Sequence, residues 1–158
     1  MRVLALDHGL ARCGCAVSDP TGILATPLEP VDAPDSRRGL ARLRALVDEL
    51  GAARVVVGLP LSLSGSDSAQ TSQARAFAQR LQRQVSVPVE LYDERLTTRL
   101  AARTGGRASE DSRAAAHLLE SWLTARRGGQ PADRATPRGG QPADRATPDP
   151  MSPSGDDV

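Results

Sequence analysis

An α/β domain built on a five-stranded mixed sheet flanked by helices is predicted by three features of the chain. The opening stretch Arg2 to Asp19, RVLALDHGLARCGCAVSD, reads as two strands about a tight turn. Arg54 to Gly58, RVVVG, has consecutive Val residues with no polar alternation, the pattern of a strand covered on both faces. After an N-terminal meander, helical and extended patterns alternate, which places helices on a mixed sheet.

In chain order, the apolar run Val3 to Leu6 forms the first strand, Asp7 follows it, and Gly9 permits the turn. Cys13 to Val17 returns as the second strand. Gly22 to Val31 is apolar enough for a third, and Pro27 and Pro30 assign it to an edge or an early end. Asp35 and Ser36 are candidate N-caps for a helix from Arg37 to Leu50, with Leu40, Leu43, Val47 and Leu50 on one stripe and Gly51 as its stop. The Val strand is therefore central and parallel to the first. Gly58-Leu59-Pro60 breaks it, and a polar loop runs through Ser62, Ser64, Gly65, Ser66 and Ser68.

A second helix is predicted over Ala69 to Gln84, with Ala74, Phe77, Ala78 and Leu81 inward, and a further strand over Val87 to Tyr92, ending at Asp93-Glu94. Thr97 to Arg103 reads as a short helix and Thr104 to Arg107 as a mobile loop. Ser109 caps a last helix whose Ala114, Ala115, Leu118, Leu119, Trp122 and Leu123 define an apolar face. The packed domain thus spans residues 1–125. Residues 126–158 turn to Gly, Pro, Asp, Arg, Thr and Ser, and RGGQPADRATP at Arg127 to Pro137 recurs unchanged at Arg138 to Pro148. So short a repeat without an apolar face cannot stack as a solenoid, and the segment reads as a disordered tail.

The 20 basic residues, all Arg, against 19 acidic ones leave a net charge of +1, so a nucleic-acid partner must be held by a local patch. No apolar run is long enough to span a membrane and no signal-peptide pattern opens the chain, which predicts a cytoplasmic protein without a membrane partner. Cys13 and Cys15 sit two apart on one strand, sharing a face without favourable disulfide geometry and without the partners of a zinc site, and are expected as reduced core or near-core residues.

Three acids carry the chemistry. Asp7 follows the first strand, Glu94 follows the strand ending at Tyr92, and Asp111 lies in the first turn of the last helix. Each alone has an ordinary explanation: Asp7 as a turn cap, Glu94 as a partner of Arg95 or Arg99, Asp111 as an acid favoured at a helix N-terminus. If the strands before Asp7 and Glu94 are parallel neighbours, their carboxyl ends lie on one sheet edge, where open α/β proteins place their sites. Convergent carboxylates bind Mg²⁺ or Mn²⁺, and two such ions ~4 Å apart support phosphodiester hydrolysis. His8, beside Asp7, and His117 are expected to pack or face solvent.

Four motifs in order resemble those of one family. Asp7-His8-Gly9 with Arg12, Gly14 and Ala16 fits D-x-G-x-x-R-x-G-x-A; Gly58-Leu59-Pro60 with Gly65 fits a G-L-P loop; Asp93 to Thr98 fits D-E-R-L-T-T; and Asp111, Ala114 and Ala115 fit D-x-x-A-A. Over residues 2–125 the chain resembles the YqgF family, also called RuvX. The resemblance implies an RNase H-like fold and a nuclease maturing the 5′ end of pre-16S ribosomal RNA, with Asp7, Glu94 and Asp111 as catalytic metal ligands. It implies that Arg12 and Arg95 hold substrate phosphate and that the serine loop, with Ser64 and Gly65, approaches the backbone. Thr97 and Thr98 would cap the turn carrying Glu94. The Val strand ends without an acid, unlike more distant RNase H-like resolvases, and Glu94 takes that role. The Thr104 to Ser109 loop is short and lacks the Lys that family members often carry there.

The expected partner is structured RNA, with a DNA four-way junction as the alternative, and the protein is expected as a monomer or homodimer. Symmetric junction resolution would need the dimer. A nucleotide phosphotransferase of the actin and sugar-kinase type also opens with D-x-G, but needs a second lobe that ~125 ordered residues do not supply. A non-catalytic RNA-binding module would have to rely on Arg, because one Phe, one Tyr and one Trp make no stacking platform.

Overall fold

The computed structural model describes residues 1–62, 64–97 and 108–128. Its strands are β1 (Arg2–Asp7), β2 (Arg12–Ser18), β3 (Ala25–Asp32), β4 (Ala52–Leu59) and β5 (Val89–Asp93), and its helices α1 (Arg37–Leu50), α2 (Ala69–Gln82) and α3 (Glu110–Arg127). The five strands form one sheet in the order β3-β2-β1-β4-β5. The β1–β2 and β2–β3 pairs are antiparallel, whereas β1–β4 and β4–β5 are parallel. This is the mixed α/β sheet that the sequence predicts, but the strands before Asp7 and Glu94 are not neighbours as expected: β4 lies between β1 and β5 and pairs in parallel with both.

Alternation along β1 divides the interior in two. Leu4 and Leu6 point to a core shared with Leu43 and Val47 of α1 and Phe77 and Leu81 of α2. Val3 and Ala5 point the other way, against Ala115, Leu119 and Trp122 of α3. Because β1 and β4 are covered on both sides, Val55, Val56 and Val57 are all fully buried, which is why that segment shows no polar alternation. Cys13 and Cys15 are free thiols inside the first core, as expected.

Ser36, rather than Asp35, caps α1 by accepting from the Gly39 N–H at 3.0 Å. The α1 stripe is shifted from the prediction: Gly39, Leu43, Leu46 and Val47 are buried, and Leu40 and Leu50 only partly so. In α3, Ala114 is exposed and Ala116 takes the inward position, because the helix presents Ala115, Ala116 and Leu119 to the sheet. α2 stops at Gln82, where its side chain bonds to the backbone of Val87 and Val89 and turns the chain into β5. No described helix is long and apolar enough to cross a membrane. The predicted helix and loop over 98–107, and the tail from 129 onward, lie outside the described residues.

Candidate active site

The parallel strands β1, β4 and β5 end together, so Asp7, Leu59 and Asp93 mark one edge of the sheet, with Leu59 in register with Asp93. Beyond β5 the chain makes a single 3-10 turn, Glu94–Leu96, that carries Glu94 back over that edge. A glycine makes room for it: a Cβ on Gly58 would lie 2.6 Å from Glu94 Oε1. The turn is anchored from α3, where the Ser121 hydroxyl donates to the Leu96 carbonyl at 2.9 Å and lies 3.1 Å from the Tyr92 hydroxyl.

A second glycine brings in the other end of α3. Gly14 pairs with Asp7 across β1 and β2, and a Cβ there would lie 2.0 Å from the Asp111 carbonyl oxygen. The helix start therefore rests directly on the strand beside Asp7. Ser112, fully buried, fixes this approach by accepting from the Cys15 N–H at 3.3 Å. Ser109 caps the helix through the Ser112 N–H, as expected.

Asp7 and Glu94 line one pocket of about 390 Å³ together with His8, Leu10, Gln70 and Gln73. Burial first, and then the Asp111 carboxylate, push the Asp7 carboxyl up to about 6, against a smaller opposing pull from His8. Burial, followed by Asp7 and Asp93, pushes Glu94 up to about 7. These are carboxyls short of positive charge. Asp111 is more exposed and sits 3.5 Å from Arg12 Nε. Among the described residues, no three acids, His or Cys are gathered closely enough to hold a metal ion as they stand. The donor set nonetheless fits a hard divalent cation: oxygen donors, repelling one another, in a partly dry pocket that Gly58 keeps open.

The basic residues are placed less simply. Arg95 does not pair with Glu94; it forks onto Asp93, with contacts of 2.7 and 3.1 Å, and the same Asp93 accepts from the Arg95 N–H at 2.9 Å. The cap of the Glu94 turn is thus Asp93, whose carboxyl is held below its usual range chiefly by Arg95. Thr97 does not cap it through its side chain: its N–H bonds to the Glu94 carbonyl, and its buried hydroxyl has no partner among the described residues. Thr98 lies outside the described residues. Gly65, at φ 78°, approaches Arg95, whose Nη1 would lie 3.3 Å from a Cβ there, and the hydroxyls of Ser62, Ser64 and Ser66 bond to one another at 2.8–2.9 Å.

His8 packs, as expected. Its ring lies 4.6 Å from the Phe77 ring centroid, and its Nε2 is 2.7 Å from Asp35, which Arg80 also holds at 2.9 Å. Leu10, Gln70, Gln73 and Ser112 were not singled out from sequence, and Asp35 was read only as a candidate helix cap. Leu10 lies inside the Gly9-x-x-Arg12 turn without a signal of its own, and the two Gln look like any helix surface.

A family model described as RuvX, Holliday junction resolvase, matches residues 1–125. The chain belongs to the RuvX family. Its relatives include proteins named "Putative pre-16S rRNA nuclease" from Rhodococcus erythropolis, 46% identical over 143 residues covering 79% of this chain and 78% of the relative. The same name belongs to relatives from Mycobacterium tuberculosis, 47% identical over 135 residues and covering 79% of each chain, and from Koribacter versatilis, 40% identical over 133 residues and covering 84% and 78%. Among solved structures, Thermus thermophilus RuvC in complex with a Holliday junction substrate aligns with a TM-score of 0.56 at 17% identity, over 82% of this chain and 96% of that one. That likeness is one of fold, and it is the RNase H-like fold the motifs implied. Membership makes this RuvX chain a nuclease, a hydrolase of phosphodiester bonds.

Proposed function

We propose that this RuvX chain is a divalent-metal-dependent nuclease that processes the 5′ end of pre-16S ribosomal RNA, with Asp7, Glu94 and Asp111 as the catalytic ligands of Mg²⁺ or Mn²⁺. The observation that carries the reading is the pair Asp7 and Glu94, two mutually repelling carboxyls raised by burial in one pocket at the sheet edge. Bound there, the metal would supply charge for the attacking water and the leaving oxygen. The chain's own residues set the rest. Asp7 is fixed by β1, Glu94 by the turn that Asp93 caps and Ser121 holds, and Asp111 by the Gly14 approach. Arg12 now neutralises Asp111; on substrate binding it exchanges that carboxylate for a phosphate oxygen, leaving Asp111 to turn inward. Arg95, Ser64 and Gly65 lie together and form a second contact to the substrate backbone.

The names of relatives 40–47% identical favour ribosomal RNA over the junction of the family description. The deciding experiment compares a pre-16S RNA fragment, single-stranded RNA and DNA, and a four-way DNA junction, with Mg²⁺ or Mn²⁺, for wild type and Asp7→Asn. Metal-dependent cutting of the precursor that vanishes in the variant supports the proposal. Preferred, symmetric cutting of the junction by a dimer would replace RNA processing with resolution.

A further inference from the structure

The wall facing the acids in the 390 Å³ pocket has no part in the chemistry described so far. It is made by Gln70 and Gln73 of α2, with Leu10 and Pro60 beside them. Gln70 and Gln73 are three apart on a helix and so share a face. Neither side chain has a hydrogen-bond partner among the described residues. Among the described residues no Arg lines this pocket, and what its wall presents is amide rather than guanidinium. An amide offers a donor and an acceptor side by side, the complement of a base edge. Leu10, 67% exposed, offers an open apolar surface at the pocket rim, and Pro60 adds a second.

The wall is also held in place. Ser68 and Thr71 form a reciprocal cap at the start of α2, and the Thr71 hydroxyl donates to the Pro60 carbonyl, tying helix to loop. A volume near the low end of the ~300–1,000 Å³ typical of small-ligand pockets is of the size of one nucleotide. We propose that Gln70, Gln73 and Leu10 form a subsite for one unpaired nucleobase beside the scissile phosphate, giving the enzyme a base preference at that position. Unpaired bases splayed from the chain are what sequence-reading RNA sites grip. The proposal rests on the nuclease reading, which it deepens.

The test uses fluorescently labelled single-stranded RNA decamers of A, C, G or U, binding being followed by anisotropy without divalent metal and cleavage with Mg²⁺. Wild type, Gln70→Ala/Gln73→Ala, Leu10→Ala and the control Gln84→Ala, at an exposed Gln beyond the far end of α2, are compared after thermal melts confirm folding. Wild type and the control should show a spread in Kd of at least about 5-fold among the four RNAs. The double Gln variant should collapse it to within twofold and lower kcat/KM on the preferred RNA by about 10-fold. Leu10→Ala should weaken all four. A wild type that binds the four RNAs equally, or a double variant that keeps the spread, overturns the subsite. If wild type cuts nothing while the Gln-dependent spread in binding persists, the subsite stands and the nuclease reading fails.

Discussion

Asp7 and Glu94 hold a proton more tightly in the folded chain than in the unfolded one, since their carboxyls are pushed up to about 6 and about 7. The folded state therefore binds more protons between about pH 4 and 7, and stability falls as pH rises through that window. Without metal, the protein should melt at a lower temperature at pH 8 than at pH 5, and Mg²⁺ should restore most of the difference at pH 8. Asp7→Asn removes the buried charge, so it should flatten that pH dependence and stabilise the metal-free protein at pH 8 by about 1–3 kcal/mol, read from urea melts. Metal affinity, by the same competition with protons, should weaken below about pH 7. Arg12 supplies a contrast. Its ion pair with Asp111 is exposed and worth at most about 1 kcal/mol, so Arg12→Ala should barely move the melt. If it meets phosphate, the same change should raise KM for RNA by about 10-fold with a smaller effect on kcat.

α3 works at both ends: its first turn brings Asp111 onto β2, and Ser121, further along, holds the turn that carries Glu94. Gly14→Ala would drive a Cβ to 2.0 Å from the Asp111 carbonyl, so the helix start must lift. Destabilisation of about 1–3 kcal/mol and a weaker Mn²⁺ affinity are expected together, measured by chemical melts and calorimetric titration. Ser112→Ala leaves the buried Cys15 N–H without its acceptor, at a cost of about 1–3 kcal/mol. Much of this was legible in the chain. The unbroken Val55 to Val57 run announced a strand covered twice, and Ser109 announced where α3 starts. The reason for Gly14 was not: its neighbour is 97 residues away, and only packing brings them together. Thr97 closes the turn with its N–H rather than its hydroxyl, and the side-chain cap comes from Asp93, one residue before the turn and within short reach of its first N–H groups. Ala114 and Ala116 exchanged places because a helix rich in Ala gives little signal as to which face is inner.

At the scale of the molecule, one sheet separates two cores, α1 and α2 on one side and α3 on the other. The order β3-β2-β1-β4-β5 puts β1 at the centre, so the strand bearing Asp7 is the most constrained in the fold. The meander and a central Val strand parallel to β1 were legible, but the full order was not: nothing in the sequence showed that the Val strand separates the strands before Asp7 and Glu94. The distribution of helices between the two faces was not legible, since each face of the central strands is equally apolar. Nor was the pocket wall, whose Gln residues carry no sequence signal until α2 is set against the β1–β2 turn. If the nuclease reading holds, Asp7, Glu94 and Asp111 act as one metal-dependent site. Its most direct test is the single-turnover cleavage rate of a pre-16S RNA fragment in Mg²⁺ or Mn²⁺ for wild type, Asp7→Asn, Glu94→Gln and Asp111→Asn, each shown to be folded. A loss of at least about 100-fold is expected in every variant, beyond the 10–100-fold typical of residues that only support metal ligands. Near-wild-type cutting by any one of the three would contradict it.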